Sequence, residues 1–342
     1  MKGAVAAGHP LTAEAGARIL AAGGNAVDAC IAAAFVSWVA ESPLTGPGAG
    51  GFMLVHRARD RSDRILDFGV AAPGRGLPRD AGGEMDAVEV TFAPDAIQVF
   101  LIGAASCAVP GAIPGLEAAH ASYGRLPWRE LVAPAVEAAR AGVRLSGAQA
   151  FLHLILDGVL RHEPAGRAVY GGDAPLDEGE VVAMPELADT LERLGAEGAR
   201  LFTHGELARA TSAAVLEHGG RITEEDLASY RVIRRRPVRI RYRDVEFTSN
   251  PPPSSGGILI AFALRVLDRL GPMPPAGSAD ALAVLAETMR EGARAREGGF
   301  FAGLYRGGAA RRLLADDRVG ASAEVVRSQA SPARRERAGL PS

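Results

Sequence analysis

Lysine is almost missing from this chain: Lys2 is the only one among 38 Lys and Arg residues, set against 40 Asp and Glu. With none after position 2, the chain offers no lysine nucleophile, Schiff base or phosphate-loop lysine. Cysteine is scarce too. Cys30 and Cys107 lie far apart in apolar surroundings, form no CxxC pair, and are expected to be small buried hydrophobes. The formal net charge of −2 provides no bulk basic field, so a nucleic-acid partner is not expected. The histidines (His9, His56, His120, His153, His162, His204 and His218) are scattered without an i, i+4 pair, so no metal site is expected. No GxSxG turn occurs, which removes the commonest serine-triad signal. The longest apolar run, Ala29 to Ala40, is too short to span a bilayer and follows Asp28, so it reads as a buried helix and no membrane partner is expected. Met1-Lys2 is followed by only a few Ala and Val, not by the three regions of a signal peptide, and a cytoplasmic location is expected.

What is present is an ordinary globular composition. The 342 residues are 48% hydrophobic and 23% charged, enough for one large domain or two modest ones. Thr12, with Glu14 in the first turn, predicts a helix to about residue 22, stopped by Gly23-Gly24; Asn25 then caps a second helix to about Ala40. The Gly/Pro-rich loop Thr45 to Gly51 leads into a strand over Phe52 to His56, and Ile65 to Phe68 returns as its hairpin partner. Residues from about 74 to 105 carry little pattern and read as a mobile insertion. Helices are predicted over about 114–123, 128–141, 146–161, 184–195 and 205–218, together a mostly helical lobe over about 114–230. A second hairpin follows at Val238 to Phe247, then helices over about 258–270 and 279–297. From Arg311 the chain is charged and poor in large apolar residues, and residues 311–342 read as a flexible tail.

Two local features invite chemistry and resist it. Gly46-Pro47-Gly48-Ala49-Gly50-Gly51 precedes a strand, whereas a phosphate loop follows one and opens a helix; dense glycine here suits close backbone packing. Ser254-Ser255, among prolines and glycines, reads as a turn satisfying its own backbone. From the residues alone, no complete catalytic set emerges.

Several segments nevertheless resemble the large subunit of the gamma-glutamyltranspeptidases, a family of N-terminal-nucleophile hydrolases. They are Gly8-His9-Pro10-Leu11-Thr12-Ala13, Leu20 to Ala29, Glu41-Ser42-Pro43 with Gly48 to Phe52, and Val109-Pro110-Gly111 with Pro114-Gly115-Leu116. Tyr123 to Trp128, Gly219-Gly220 with Asp226-Leu227-Ala228-Ser229-Tyr230, and Asn250 to Gly257 extend the match to about residue 290. The resemblance implies an α/β fold, the large-subunit portion of a four-layer αββα sandwich, spanning about residues 1–310 here. It also implies a companion small subunit whose N-terminal Thr is the nucleophile, with its own α-amino group as base. The family's Thr-x-His-x-Ser opening does not occur in this chain, so no catalytic residue is assigned within it and the tail is expected to precede an autoprocessing site. No cofactor is implied.

The informative departure lies on the hairpin's returning strand. Members of the family generally carry Arg-Glu within Asp-x-Arg-Glu-x-Ala-Pro, where the Arg grips the α-carboxylate of the γ-glutamyl group. Here the stretch is Asp67-Phe68-Gly69-Val70-Ala71-Ala72-Pro73, with Gly69 at the Arg position and Val70 at the Glu position. Phe68, Gly69 and Val70 are therefore the candidate substrate-binding residues, with Arg75 or an arginine of the companion subunit as substitutes for the lost charge. The resulting expectation is a hydrolase or acyltransferase acting on an amide of a small molecule other than ordinary γ-glutamyl compounds. Two alternatives stand beside it: a homologue in natural-product biosynthesis that cleaves a C–C bond next to a carbonyl, and a truncated chain that binds without catalysing.

Overall fold

The structure, a computed structural model, describes residues 3–331. Its elements in chain order are α1 (Pro10–Ala21), α2 (Ala26–Ala40), β1 (Gly51–Arg57), β2 (Ser62–Phe68), β3 (Asp86–Ala93), β4 (Ala96–Ile102), α3 (Ala112–Tyr123) and α4 (Trp128–Ala141). Then come β5 (Val143–Arg144), α5 (Gly147–Ile155), α6 (Asp157–Leu160), α7 (Pro164–Tyr170), β6 (Val181–Val182), α8 (Pro185–Glu197), α9 (Arg200–Thr203), α10 (Glu206–Glu217) and α11 (Glu224–Ser229). The last stretch holds β7 (Ile233–Arg235), β8 (Val238–Tyr242), β9 (Val245–Ser249), α12 (Gly256–Leu270), α13 (Ala279–Arg294), α14 (Phe300–Tyr305), α15 (Ala309–Leu313) and α16 (Asp316–Gln329). Strands pair in the order β1-β2-β7, and β3-β4, β5-β6 and β8-β9 are two-stranded. Among the described residues no helix is long and apolar enough to cross a membrane.

The described residues divide into two compact units, the first made of residues 3–53 with Leu66–Ile233, the second of Leu54–Ile65 with residues 234–331. In the first unit α2 is apolar on nearly every face, which suits a helix surrounded by others. Ile31, Phe35, Val36, Trp38 and Val39 are all buried, with the Phe35 ring edge-on to Trp38 and to Trp128 of α4. α1, α3 and α4 pack around it, and α8 packs on α4, where the Trp128 indole donates to the Leu194 carbonyl at 3.0 Å. The first helix starts earlier than expected. Its N-cap is His9, whose Nδ1 accepts from the Leu11 amide, with Pro10 at the first position. Thr12 instead donates its hydroxyl to Glu41 at 2.7 Å, which ties the two ends of the α1–α2 pair.

The second unit is built on α12. Ile258, Ala261, Phe262 and Val266 are completely buried, against Val238 and Ile240 of β8 and Leu313, Val319, Ala323 and Val326 further on. Asp63 anchors this unit's part of the β1–β2 hairpin: it lies 2.6 Å from both His56 Nδ1 and Arg239 Nη2, so a nearly buried carboxylate has charged or polar partners on each oxygen.

Four further expectations need correction. Residues 311–331 are not a flexible tail: α16 has Asp316 and Asp317 in its first turn, Arg327 in its last, and Val319, Ala323 and Val326 along one buried stripe. The remainder of that expected tail lies outside the described residues. The patternless insertion contains the β3–β4 hairpin, in which Val88 pairs with Phe100 and Val90 with Gln98 around a turn at Pro94-Asp95. The helix expected over 146–161 is broken after Ile155, just before Asp157-Gly158. Cys30 and Cys107 are both exposed. Cys30 stands on the one outward-facing side of α2, which the run of apolar neighbours concealed.

Candidate functional site

The candidate site is the loop that leaves β2 in the first unit. β2 ends at Phe68, which is buried because its ring fills space that glycines leave open. A Cβ on Gly115 would overlap this ring, and one on Gly51 would come to 3.0 Å from it. Gly50 plays the same part for the backbone, since a Cβ there would lie 2.6 Å from the Val70 nitrogen. The Gly50-Gly51 end of the Gly/Pro-rich loop therefore serves close packing, whereas a Cβ at Gly46 or Gly48 would meet nothing within 4 Å. Its Ala49 carbonyl also accepts from the amides of Gly111 and Ala112 at 3.1 and 2.9 Å, fixing the start of α3 beside the site.

Beyond Phe68 the side chains turn small and the backbone carries the contacts. The Gly69 amide donates to Asp67 Oδ1 at 3.0 Å, and the Gly69 carbonyl accepts the Tyr230 hydroxyl at 2.8 Å. Ala71 and Val109 exchange backbone hydrogen bonds of 3.0 and 2.9 Å in an isolated antiparallel bridge. Further on, the amides of Gly74 and Arg75 both donate to the carboxylate of Asp226, at 2.8 and 3.2 Å. Gly74 has φ +111, a conformation that favours glycine. Asp226 is the third residue of α11 and forms a capping box with Thr223.

Electrostatics follow from this geometry. Burial raises the cost of charge on Asp226, yet the amides of Gly74, Thr223 and Arg75 and the Thr223 hydroxyl outweigh it and hold the carboxyl below the ordinary range. For Tyr230, burial and then the charge of Asp67 act together and push the phenol up to about 12, so it stays a donor at any working pH.

The sequence-predicted residues fall into two groups. Phe68, Gly69 and Val70 are consecutive at the end of β2, with Phe68 buried and Val70 54% exposed. Gly69 has no side chain and no special conformation that demands its absence: a Cβ there would meet only Asp67 Oδ1, at 3.2 Å. Arg75 stands at the loop's other end, where its Nε lies 3.8 Å from Asp226 Oδ1. Its guanidinium is thus paired with the residue that also holds its own backbone. Asp67, Asp226 and Tyr230 received no role from the sequence. The Thr223-x-x-Asp226 spacing could have marked the cap, but no local signal tells which distant amides it catches. Elsewhere a gap of about 170 Å³ between α4 and α8 is lined by Arg129, Val132, Val136, Glu137, Leu191 and Glu192, with no hydroxyl or thiol among its lining residues. Among the described residues no cluster of three or more His, Cys, Asp or Glu is placed to hold a metal ion.

The family profile of gamma-glutamyltranspeptidase matches residues 12–333. The chain belongs to the gamma-glutamyltranspeptidase family. Among curated relatives, the glutathione hydrolase proenzyme of Bacillus subtilis (strain 168) is 31% identical over 266 residues, covering 78% of this chain and 44% of the relative. The acylase ACY 1 proenzyme of Pseudomonas sp. (strain SE83) is 34% identical over 301 residues, covering 84% of this chain and 52% of the relative. The chain thus spans about half the length of the curated relatives it matches. Among solved structures, the gamma-glutamyltranspeptidase of Helicobacter pylori superposes with a TM-score of 0.81 at 27% identity, covering 95% of this chain and 92% of that one. The mixed α/β architecture is that of this family of N-terminal-nucleophile hydrolases, as the sequence resemblance implied.

Proposed function

We propose that this chain is the large subunit of a self-processing Thr hydrolase or acyltransferase that cleaves an amide whose acyl group lacks the γ-glutamyl α-carboxylate. The observation that carries the reading is Gly69-Val70 in place of Arg-Glu, on a loop where a Cβ at Gly69 would press only on the Asp67 carboxylate and where Val70 is exposed. A pocket without the guanidinium fork loses the charge-assisted pair that recognises a carboxylate, and the exposed valine offers apolar surface in its place. That one relative is named an acylase, not a glutathione hydrolase, supports a shift of acyl group within the family.

In this reading the nucleophile comes from a companion subunit. Its N-terminal Thr hydroxyl attacks the amide carbonyl while the α-amino group of the same residue takes the proton. The tetrahedral oxyanion, held by backbone donors, collapses and returns the proton to the leaving amine, and water or an acceptor amine releases the acyl group. The contribution of this chain is to shape the acyl side of the pocket. The protein acts in the cytoplasm in this reading and needs no cofactor.

The test is the double substitution Gly69→Arg with Val70→Glu in the complete protein carrying both subunits, assayed on γ-glutamyl para-nitroanilide. Restoring a grip on an otherwise unpaired carboxylate is expected to raise kcat/KM by about tenfold or more. No gain, in a variant that melts like the parent, rejects the assignment of Gly69-Val70 to the acyl pocket.

A further inference from the structure

The site loop is short of anything that would stiffen it by itself. From Gly69 to Gly74 it reads Gly-Val-Ala-Ala-Pro-Gly, and its exposed side chains make no packing core. Its shape comes from three fixed points on its backbone: the Gly69 carbonyl, the Ala71–Val109 bridge and the amides of Gly74 and Arg75. Two of the three are supplied by one short element, since Asp226 lies in α11 and Tyr230 directly follows its last residue, one helical turn further on.

Building on the reading of residues 68–70 as the acyl-binding segment, we propose that Tyr230 is a positioning residue for substrate specificity: its hydroxyl fixes the Gly69–Val70 peptide and so sets where the Val70 side chain meets the acyl group.

The surroundings are built for this contact. Gly111 has no side chain where a Cβ would collide with both the Tyr230 hydroxyl and the Phe68 carbonyl, so the phenol reaches the loop only because position 111 is glycine. The Tyr230 ring packs against the cluster of Val109, Ala208, Ile222 and Leu227, and Val109 is the same residue that bridges Ala71. The ring, the bridge and the loop are therefore one contiguous support. On the other side the Gly69 amide is taken by Asp67, so the peptides on both sides of Gly69 are fixed. A site that selects by shape needs its lining held to a fraction of an ångström, and here the holding groups are backbone contacts, not bulky side chains. Tyr230 touches no reacting atom in this account; it acts through Gly69 and Val70.

The experiment uses the complete two-subunit protein and a panel of para-nitroanilides carrying γ-glutamyl, pentanoyl and octanoyl groups. Tyr230→Phe is expected to raise KM for the best acyl anilide about fivefold, as for one lost hydrogen bond, with kcat within twofold and with weaker discrimination between pentanoyl and octanoyl. Backbone hydrogen exchange over residues 69–72 should rise in the same variant. A KM and chain-length preference equal to the parent's overturn the proposal. If Tyr230→Phe does not fold, 3,5-difluorotyrosine at position 230, a more acidic phenol held in the same buried place beside Asp67, keeps the donor at neutral pH and loses it at a lower alkaline pH than the parent's phenol does. KM should then rise with pH in that variant and not in the parent; parallel profiles overturn the proposal. Failure of this inference differs from failure of the underlying reading. Should Gly69→Arg with Val70→Glu change acyl preference while Tyr230→Phe does not, residues 69 and 70 line the pocket and Tyr230 does not position them. Should neither change it, or should the parent cleave no anilide of the panel, both fall together.

Discussion

Asp28 and Asp226 are the same device used in two regions for two ends. Each is the third residue of a helix, closes a capping box with the N-cap (Asn25 or Thr223), and then collects backbone amides from a loop about a hundred residues away or more. Asp28 accepts from Arg125 at 2.9 Å and from Leu126 at 3.4 Å, and so fixes the turn between α3 and α4. That turn feeds α4, whose Leu131, Val132 and Ala135 are buried, so hydrophobic packing continues what the carboxylate begins. Asp226 fixes Gly74 and Arg75, next to a loop in which Val70, Ala71 and Ala72 are exposed. The first joint therefore supports the fold, and the second supports a surface. A capping box read locally looks alike in both; what its carboxylate reaches decides whether it holds a turn of the packed framework or an exposed loop.

The comparison can be broken in order of expected effect. Asp28→Ala leaves the amides of Asn25, Arg125 and Leu126 without their acceptor in a fully buried place, and a loss of about 3 kcal/mol or more is expected from urea unfolding. Gly115→Ala drives a methyl into the Phe68 ring and is expected to cost about 2 kcal/mol in the same measurement, with activity impaired beyond the loss of stability. Asp226→Asn keeps one acceptor oxygen and should cost about 1 to 2 kcal/mol, with exchange of the 74–75 amides raised and the α3–α4 turn unaffected.

That variant also carries a pH signature. The Asp226 carboxyl lies lower in the folded state than in the unfolded chain, so its contribution is complete above the unfolded value near about 4 and disappears as pH falls through the folded value. The stability gap between parent and Asp226→Asn should be constant near neutrality and narrow in acid. A gap that widens on acidification contradicts the assignment. Arg75→Ala is the smallest change, below about 0.5 kcal/mol, because that side chain is 59% exposed and its ion pair is long. If Arg75→Ala abolished turnover without loss of stability, Arg75 would be a substrate contact after all.

Much of the framework is legible in the sequence because it rests on local rules. Asn25 caps α2, the apolar run to Ala40 is a buried helix, and the alternation in Val238 to Tyr242 is a strand. The misses share a cause. The β3–β4 hairpin puts Val88 and Val90 on one face and the exposed Ile97, Val99 and Leu101 on the other, opposite Thr91, Glu89 and Ala87, so apolar residues on both faces blur its alternation. α16 buries mostly small residues among charges, which composition alone equates with a tail. At the site, Gly69 and Val70 are found only as departures from a family pattern, since nothing local distinguishes them. Tyr230 and Asp226 act across more than 150 residues of chain, a separation no sequence window spans.

The most direct test of the account is the ratio of kcat/KM for pentanoyl against γ-glutamyl para-nitroanilide, measured on the complete unmodified protein with both subunits. The two acyl chains have the same five-carbon length and differ at the end where a family arginine would grip a carboxylate. With Gly69 and Val70 lining that end, the pentanoyl anilide should be preferred. A preference of about tenfold or more for the γ-glutamyl anilide would mean that the carboxylate is still gripped, and would contradict the proposed change of acyl group.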